Sequence, residues 1–262
     1  MAGETQTAEK IQKLEDWLRT NQKWLVPVGL LSLVLLLRPP KGKDEDGGGA
    51  EPPPPPGRKA AVLLDPGHGG TDLGHRMPLF YAEKKINLDF AQLIREYLVA
   101  GGVSTRSTRN LAQGADSTVS LQQRQATMAD VNPQAFVSLH IGRLPDIFNP
   151  PRGTIGVVNA IGESERLAEI LVNSVAPVVG CGNRGVVTYA DYLDFPHHEI
   201  LRATGAVPSV ILEIAALDDP CFQGKYGQAR WLAPDASNNW RHLIARAIAE
   251  GLLDFLGLGP VW

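Results

Sequence analysis

The chain has 262 residues, 44% hydrophobic and 20% charged, enough to bury one large core or two small ones. Its net charge of -3 argues against a nucleic-acid partner, which selects a basic excess. Two cysteines, Cys181 and Cys221, are too few for a disulfide framework or a cysteine zinc site; one bridge and two separate buried thiols both fit.

Residues 1–23 are polar, with Ile11, Leu14, Trp17 and Leu18 spaced to share one helical face, an amphipathic segment suited to a protein partner. Residues 24–37, WLVPVGLLSLVLLL, carry no charge. A helix over this run spans about 21 Å, against a hydrocarbon core of ~30 Å. RPPKGK follows with no small-x-small cleavage site, so the run reads as a short, uncleaved membrane anchor. A cleaved signal and an interfacial or partner-binding helix are the alternatives. Lys10, Lys13, Arg19 and Lys23 precede the run and Arg38, Lys41 and Lys43 follow it, so charge does not set its orientation. Residues 38–58 pass from an acidic, glycine-rich stretch to the prolines of 52–56, a flexible and then stiff tether. The globular domain is expected over 59–262.

Within it, AAVLLD (60–65) reads as a short buried strand. Ile86, Phe90, Leu93, Ile94 and Tyr97 share a helical face. GVSTRSTR (102–109), AFVSLH (135–140) and TIGVVNA (154–160) read as strands. Leu167, Ile170, Leu171 and Val175 suit a helix. GVVTYA (185–190) and PSVILEI (208–214) are further strands, and Trp240, Leu243, Ile244, Ala247, Ile248, Leu252 and Phe255 trace a closing helix. Strands alternating with helices predict one α/β domain, a mostly parallel central sheet with helices on both faces.

His68 lies just past the first strand, in the turn DPGHGG. His140 closes AFVSLH and Glu213 closes SVILE. In a parallel sheet these carboxyl ends share the edge where ligand crevices form. Glu83 precedes a helix starting near Lys84 and can face the same edge. Two imidazoles and a carboxylate make a zinc set with one position open, and a carboxylate outside the set can take a proton from water. Glu213 has a second reading, a structural ion pair with an arginine such as Arg202, because burying an unpaired carboxylate is costly. Spacing alone takes the chain to a metal hydrolase of α/β class.

The segments VLLDPGHGGTDLG, EKKINLDFAQLIREYL, GGVSTRSTR, VSLQQRQATMADVNPQAFVSLH and LRATGAVPSVILE come in the order found in the zinc-dependent N-acetylmuramoyl-L-alanine amidases of the Amidase_3 type, which this chain resembles over about residues 60–257. The resemblance implies one zinc per chain, held by His68, Glu83 and His140, and Glu213 as the catalytic glutamate. It implies hydrolysis of the amide between N-acetylmuramic acid and L-alanine in peptidoglycan, and a domain on the extracytoplasmic side of the membrane that residues 24–37 would hold. Two turns depart from the family: HIG stands where His-Ala-Asn is usual, and IAALDDPCF where a Gly-Phe-Leu-Ser-Asn-like turn is usual. They motivate an alternative, a catalytically weak or inactive peptidoglycan-binding module. A zinc carboxypeptidase of related architecture fits less well. The stretch from His140 to Glu213 is accounted for by strands, a helix and loops, without a long helix blocking the site, though the Arg143–Arg152 loop can shade its entrance. Arg124 reads as a structural arginine and His242 as a structural histidine; His75, His197 and His198 are candidates to line the cleft.

Overall fold

Short apolar runs that end in glycine, proline or a polar residue build the sheet of this computed structural model, whose described residues are 62–76, 82–111, 117–142, 152–189, 199–226 and 240–259. The expected amphipathic segment, anchor and tether lie outside these residues. Among the described residues no helix is long and apolar enough to cross a membrane.

The elements follow in the order β1 (Val62–Pro66), α1 (Glu83–Ala100), β2 (Thr105–Ser107), α2 (Leu121–Val131), β3 (Ala135–His140), β4 (Thr154–Val158), α3 (Glu163–Val179), β5 (Asn183–Thr188), α4 (Glu199–Arg202), β6 (Ser209–Glu213), α5 (Pro220–Tyr226) and α6 (Trp240–Phe255). The strands form one six-stranded sheet in the order β2-β1-β3-β6-β4-β5. β1, β2, β3 and β6 run parallel. β4 pairs antiparallel with β6, and β5 follows β4. The expected mostly parallel α/β sheet is therefore present, with one reversal.

Alternation along the strands divides the interior in two. Val62, Leu64, Val137, Leu139, Val210 and Leu212 face α1, α3 and α6 in the larger core. These helices come from long apolar periods, such as Ile86, Phe90, Ile94 and Leu98 in α1. Leu63, Phe136 and Ile211 face the other way, against Met128 and Val131 of α2 and Ile200 and Leu201 of α4. On this second face the apolar residues give way, toward the carboxyl ends of the strands, to Asp65, Ser138, His140 and Glu213. The same parity that builds the smaller core thus delivers four polar side chains to one end of it.

The strand expected over 102–109 is confined to Thr105–Ser107. α2 was not anticipated, because its inward positions are Arg124, Met128 and Val131, and a buried arginine breaks the apolar period.

Candidate active site

The turn after β1 is shaped by its glycines and by what grips its carbonyls. His68 adopts φ 62°, a left-handed conformation that costs a non-glycine residue on the order of 1–3 kcal/mol. Arg124 holds it there: Nη2 donates to the His68 carbonyl at 2.7 Å and Nη1 to the Pro66 carbonyl at 3.1 Å. The same guanidinium forms an ion pair with Asp65. The structural reading of Arg124 is therefore the right one, with the added detail that it shapes the loop bearing His68.

Three expected site residues meet at this edge. Glu83, the first residue of α1, lies with Oε2 3.1 Å from His68 Nε2 and Oε1 3.1 Å from His140 Nδ1. The two imidazoles face each other edge-on, ring centroids 5.0 Å apart. One ligating atom from each of His68, Glu83 and His140 falls within 4.8 Å of the others. The Glu83 carboxylate is further fixed by the backbone N–H of His75 at 2.8 Å and of Ile141 at 3.3 Å. Burial would raise its carboxyl, but the hydrogen bonds and charges of His140 and His68 hold it well below the usual range. His68 moves the opposite way. Burial lowers it, and Glu83 and Asp72 more than compensate, so its imidazole is raised.

Glu213 stands beside His140 in the β3–β6 register. It is 5% exposed, and its Oε2 has no hydrogen-bond partner among the described residues. Arg202 does not pair with it; that guanidinium bonds the Tyr189 hydroxyl and lies 4.9 Å from the centre of its ring. Burial and the neighbouring Glu83 charge push the Glu213 carboxyl well above its ordinary range, with the Gly142 backbone N–H opposing them. The salt-bridge reading with Arg202 is thereby set aside.

Glycines leave the room these side chains occupy. A Cβ on Gly67 would overlap the His140 ring, one on Gly74 would sit 2.6 Å from His68 Cδ2, and one on Gly142 would sit 2.8 Å from Glu83 Oε2. A cleft of about 180 Å³ opens beside the site, lined by His68, Asp72, Thr118, His140, Glu199 and Ile200 among others.

Of the remaining histidines, His75 contributes its backbone N–H to Glu83. His242 packs on Tyr97, Nδ1 3.2 Å from the hydroxyl, as a structural histidine. His197 and His198 lie outside the described residues, as does most of the Arg143–Arg152 loop. Sequence reasoning passed over Asp72, whose Oδ2 lies 2.9 Å from His68 Nδ1 and whose Oδ1 accepts from the Gly74 N–H at 3.1 Å. The signal was available: a carboxylate four residues after the histidine, inside the same glycine-rich turn. Such a partner fixes which ring nitrogen is free to bind a metal.

Comparison with known proteins identifies the family. A family model described as N-acetylmuramoyl-L-alanine amidase (Amidase_3) matches residues 62–254. The N-acetylmuramoyl-L-alanine amidase AmiC of Neisseria meningitidis serogroup B is 31% identical over 231 residues, 76% of this chain and 53% of AmiC. LytC of Bacillus subtilis, also named N-acetylmuramoyl-L-alanine amidase, is 27% identical over 74% of this chain and 35% of its own length. The chain thus spans about half, or less, of the length of these curated relatives. Among solved structures, the amidase AmiC2 of Nostoc punctiforme matches with a TM-score of 0.59 and 26% identity, over 76% of this chain and 98% of that one. The chain belongs to the Amidase_3 family of N-acetylmuramoyl-L-alanine amidases.

Proposed function

We propose that this chain is a zinc-dependent amidase that hydrolyses the bond between N-acetylmuramic acid and L-alanine in peptidoglycan. The observation that carries the reading is Glu213: a buried carboxylate with a free oxygen, next in register to His140 at the edge where His68 and Glu83 converge. The donor set suits zinc, two imidazoles and one carboxylate with a fourth position left open. The glycine cradle around those side chains fits the same purpose.

His68, Glu83 and His140 would hold the metal. Zinc, when bound, supplies Lewis acidity that polarises a carbonyl and acidifies a water. The chain supplies the rest. Asp72 orients His68, and the His75 and Ile141 N–H groups hold Glu83. Glu213 accepts the proton of the attacking water and delivers it to the amide nitrogen as the carbon–nitrogen bond breaks. The altered turns after His140 and Glu213 leave all four side chains in place, so catalysis is favoured over a binding module.

The test follows release of L-alanine amino groups from peptidoglycan by the purified full chain, with metal content measured in parallel. Glu213→Gln keeps the size of the side chain but cannot take a proton. It is expected to retain zinc and to lose about 10²–10⁴-fold in turnover. His68→Ala and His140→Ala are expected to lose the metal. A parent that holds zinc and cuts nothing would return the chain to the binding-module reading, and parent-like cleavage by Glu213→Gln would remove that residue from the chemistry.

The same reading puts the domain outside the cytoplasm, where its substrate lies, held to a membrane by residues 24–37 through the tether of 38–58, with residues 1–23 open to a protein partner. Cell fractionation checks this: the intact chain is expected with the membranes, and its recovery as soluble protein counts against the anchor.

A further inference from the structure

His68 and Glu83 reach the site from two separate segments, the loop after β1 and the first turn of α1. Their side chains meet at 3.1 Å. The separation of the two segments therefore sets the separation of the two groups. Buried donors stitch these segments together. Arg109, 2% exposed, follows β2 and sits between them. Its Nη1 donates to the Gly67 carbonyl at 3.2 Å, on the loop, and at 3.5 Å to that of Pro66, the last residue of β1. The same nitrogen donates to the Lys84 carbonyl at 2.9 Å, on the helix. Lys84, next to Glu83, returns the tie: its Nζ donates to the Gly70 carbonyl at 2.5 Å. The fit at the guanidinium is close, since a Cβ on Gly69 would lie 2.9 Å from Arg109 Nε.

Arg124 grips the Pro66 and His68 carbonyls but has no side-chain bond to α1 among the described residues; its side-chain partners are Asp65, Thr108, Pro66, His68 and Val119. Arg109 is thus placed differently, spanning both segments that carry the expected ligands. A guanidinium suits this task because its donors are fixed in one plane, whereas an ammonium on a flexible stem is a point charge.

We propose that Arg109 is a positioning residue of the metal centre: it clamps the His68 loop to the first turn of α1 and so sets the His68–Glu83 geometry, with Lys84 as a second clamp. The inference rests on the reading of His68, Glu83 and His140 as metal ligands. Groups that orient ligands change metal affinity by about 10–100-fold when removed.

Zinc affinity of the purified full chain, measured by competition with a chromophoric chelator, tests this well below the thermal midpoint of each metal-free variant. Arg109→Met is expected to bind zinc about 10–100-fold more weakly than the parent. Arg109→Lys restores the charge without the fork and is expected to recover only part of the loss. Parent-like zinc affinity in Arg109→Met, even with a lowered midpoint, would make Arg109 merely structural and overturn the proposal. If Arg109→Met does not fold, Lys84→Met decides by the same readout: weaker zinc binding supports the clamp and parent-like binding overturns it. Failure of the underlying reading has a separate signature. His68→Ala would then bind zinc as the parent does, and the clamp would fall with the site.

Discussion

Asp65, near the end of β1, is 2% exposed, and its carboxylate is met by Thr108 at 2.5 Å, by Ser138 at 2.7 Å and by the Arg124 guanidinium. Burial raises its carboxyl, but Arg124 and these hydrogen bonds outweigh burial and hold it below the usual aspartate range. A carboxyl lowered in the folded state stabilises the fold above its unfolded pKa, about 3.9, and loses that contribution as pH falls through the folded value. The thermal midpoint is therefore expected to fall as the medium is acidified into and below that range, more steeply in the parent than in Asp65→Asn. At neutral pH Asp65→Asn is expected to cost about 3–5 kcal/mol, because Arg124 is left as an uncompensated buried cation. Midpoints of both proteins across pH check the two claims together, and equal slopes would take Asp65 out of the acid response. Residues of this kind mark the limit of what the sequence discloses. His140 and Glu213 were legible because a polar residue closing an apolar run is conspicuous, and His68 because an imidazole stands out in a glycine-rich turn. Asp65 closes such a run too, but its role depends on Thr108, Arg124 and Ser138, and no local pattern reports partners so far along the chain. Arg109 was hidden for the same reason.

Among the elements, those with long apolar periods were readable within a few residues of their ends. α1, α3 and α6 face the larger core with repeated apolar turns, and β3 begins and ends where its sequence suggests. α2 fully buries only Met128 and Val131 among its apolar residues, with Leu121 partly buried and Arg124 one turn before Met128, so its period carries a charge where a hydrophobe is expected. What starts this helix is local chemistry. Ser120 Oγ accepts from the Gln123 N–H at 3.2 Å, and Gln123 Oε1 accepts from the Ser120 N–H at 2.8 Å, a complete capping box. Asn132 ends it in a left-handed conformation, φ 43°. The box also fixes the turn from which Arg124 reaches the His68 carbonyl. Ser120→Ala is expected to cost about 1 kcal/mol. A thermal melt should show this as a midpoint lowered by about 2–4 °C; an unchanged midpoint would mean that packing alone holds α2.

Across the whole domain, Cys181, just beyond α3, is bonded to Cys221 in α5, with Cα atoms 5.8 Å apart. Their sequence separation of 40 encloses β5, α4 and β6, and with β6 the buried Glu213. The sequence left bond and thiols equally open, since only the three-dimensional path brings the two cysteines together. Closing a loop of this length removes about 4 kcal/mol of unfolded-state freedom in the chain-entropy description. The double variant Cys181→Ser/Cys221→Ser is expected to lose a comparable amount of stability in denaturant titration, and the parent should lose the same under a dithiol reductant. A parent indifferent to reductant would show the bond adds nothing. The reversal between β6 and β4 has a different kind of consequence. β3 ends at His140 on the site edge, and β4 begins on that edge, Thr154 Oγ1 donating to the Ile214 carbonyl just past Glu213. The chain therefore leaves and re-enters the sheet at the same rim, with one strand between its two ends. A crossover would have to span the height of the sheet, so its length would be constrained; this connection need only pass the one strand between its ends. Loop closure grows only slowly more costly with length. The rim between Gly142 and Arg152 is thus a place where evolution, or a designer, can graft a recognition module beside the candidate site while the order and direction of the strands stay as they are.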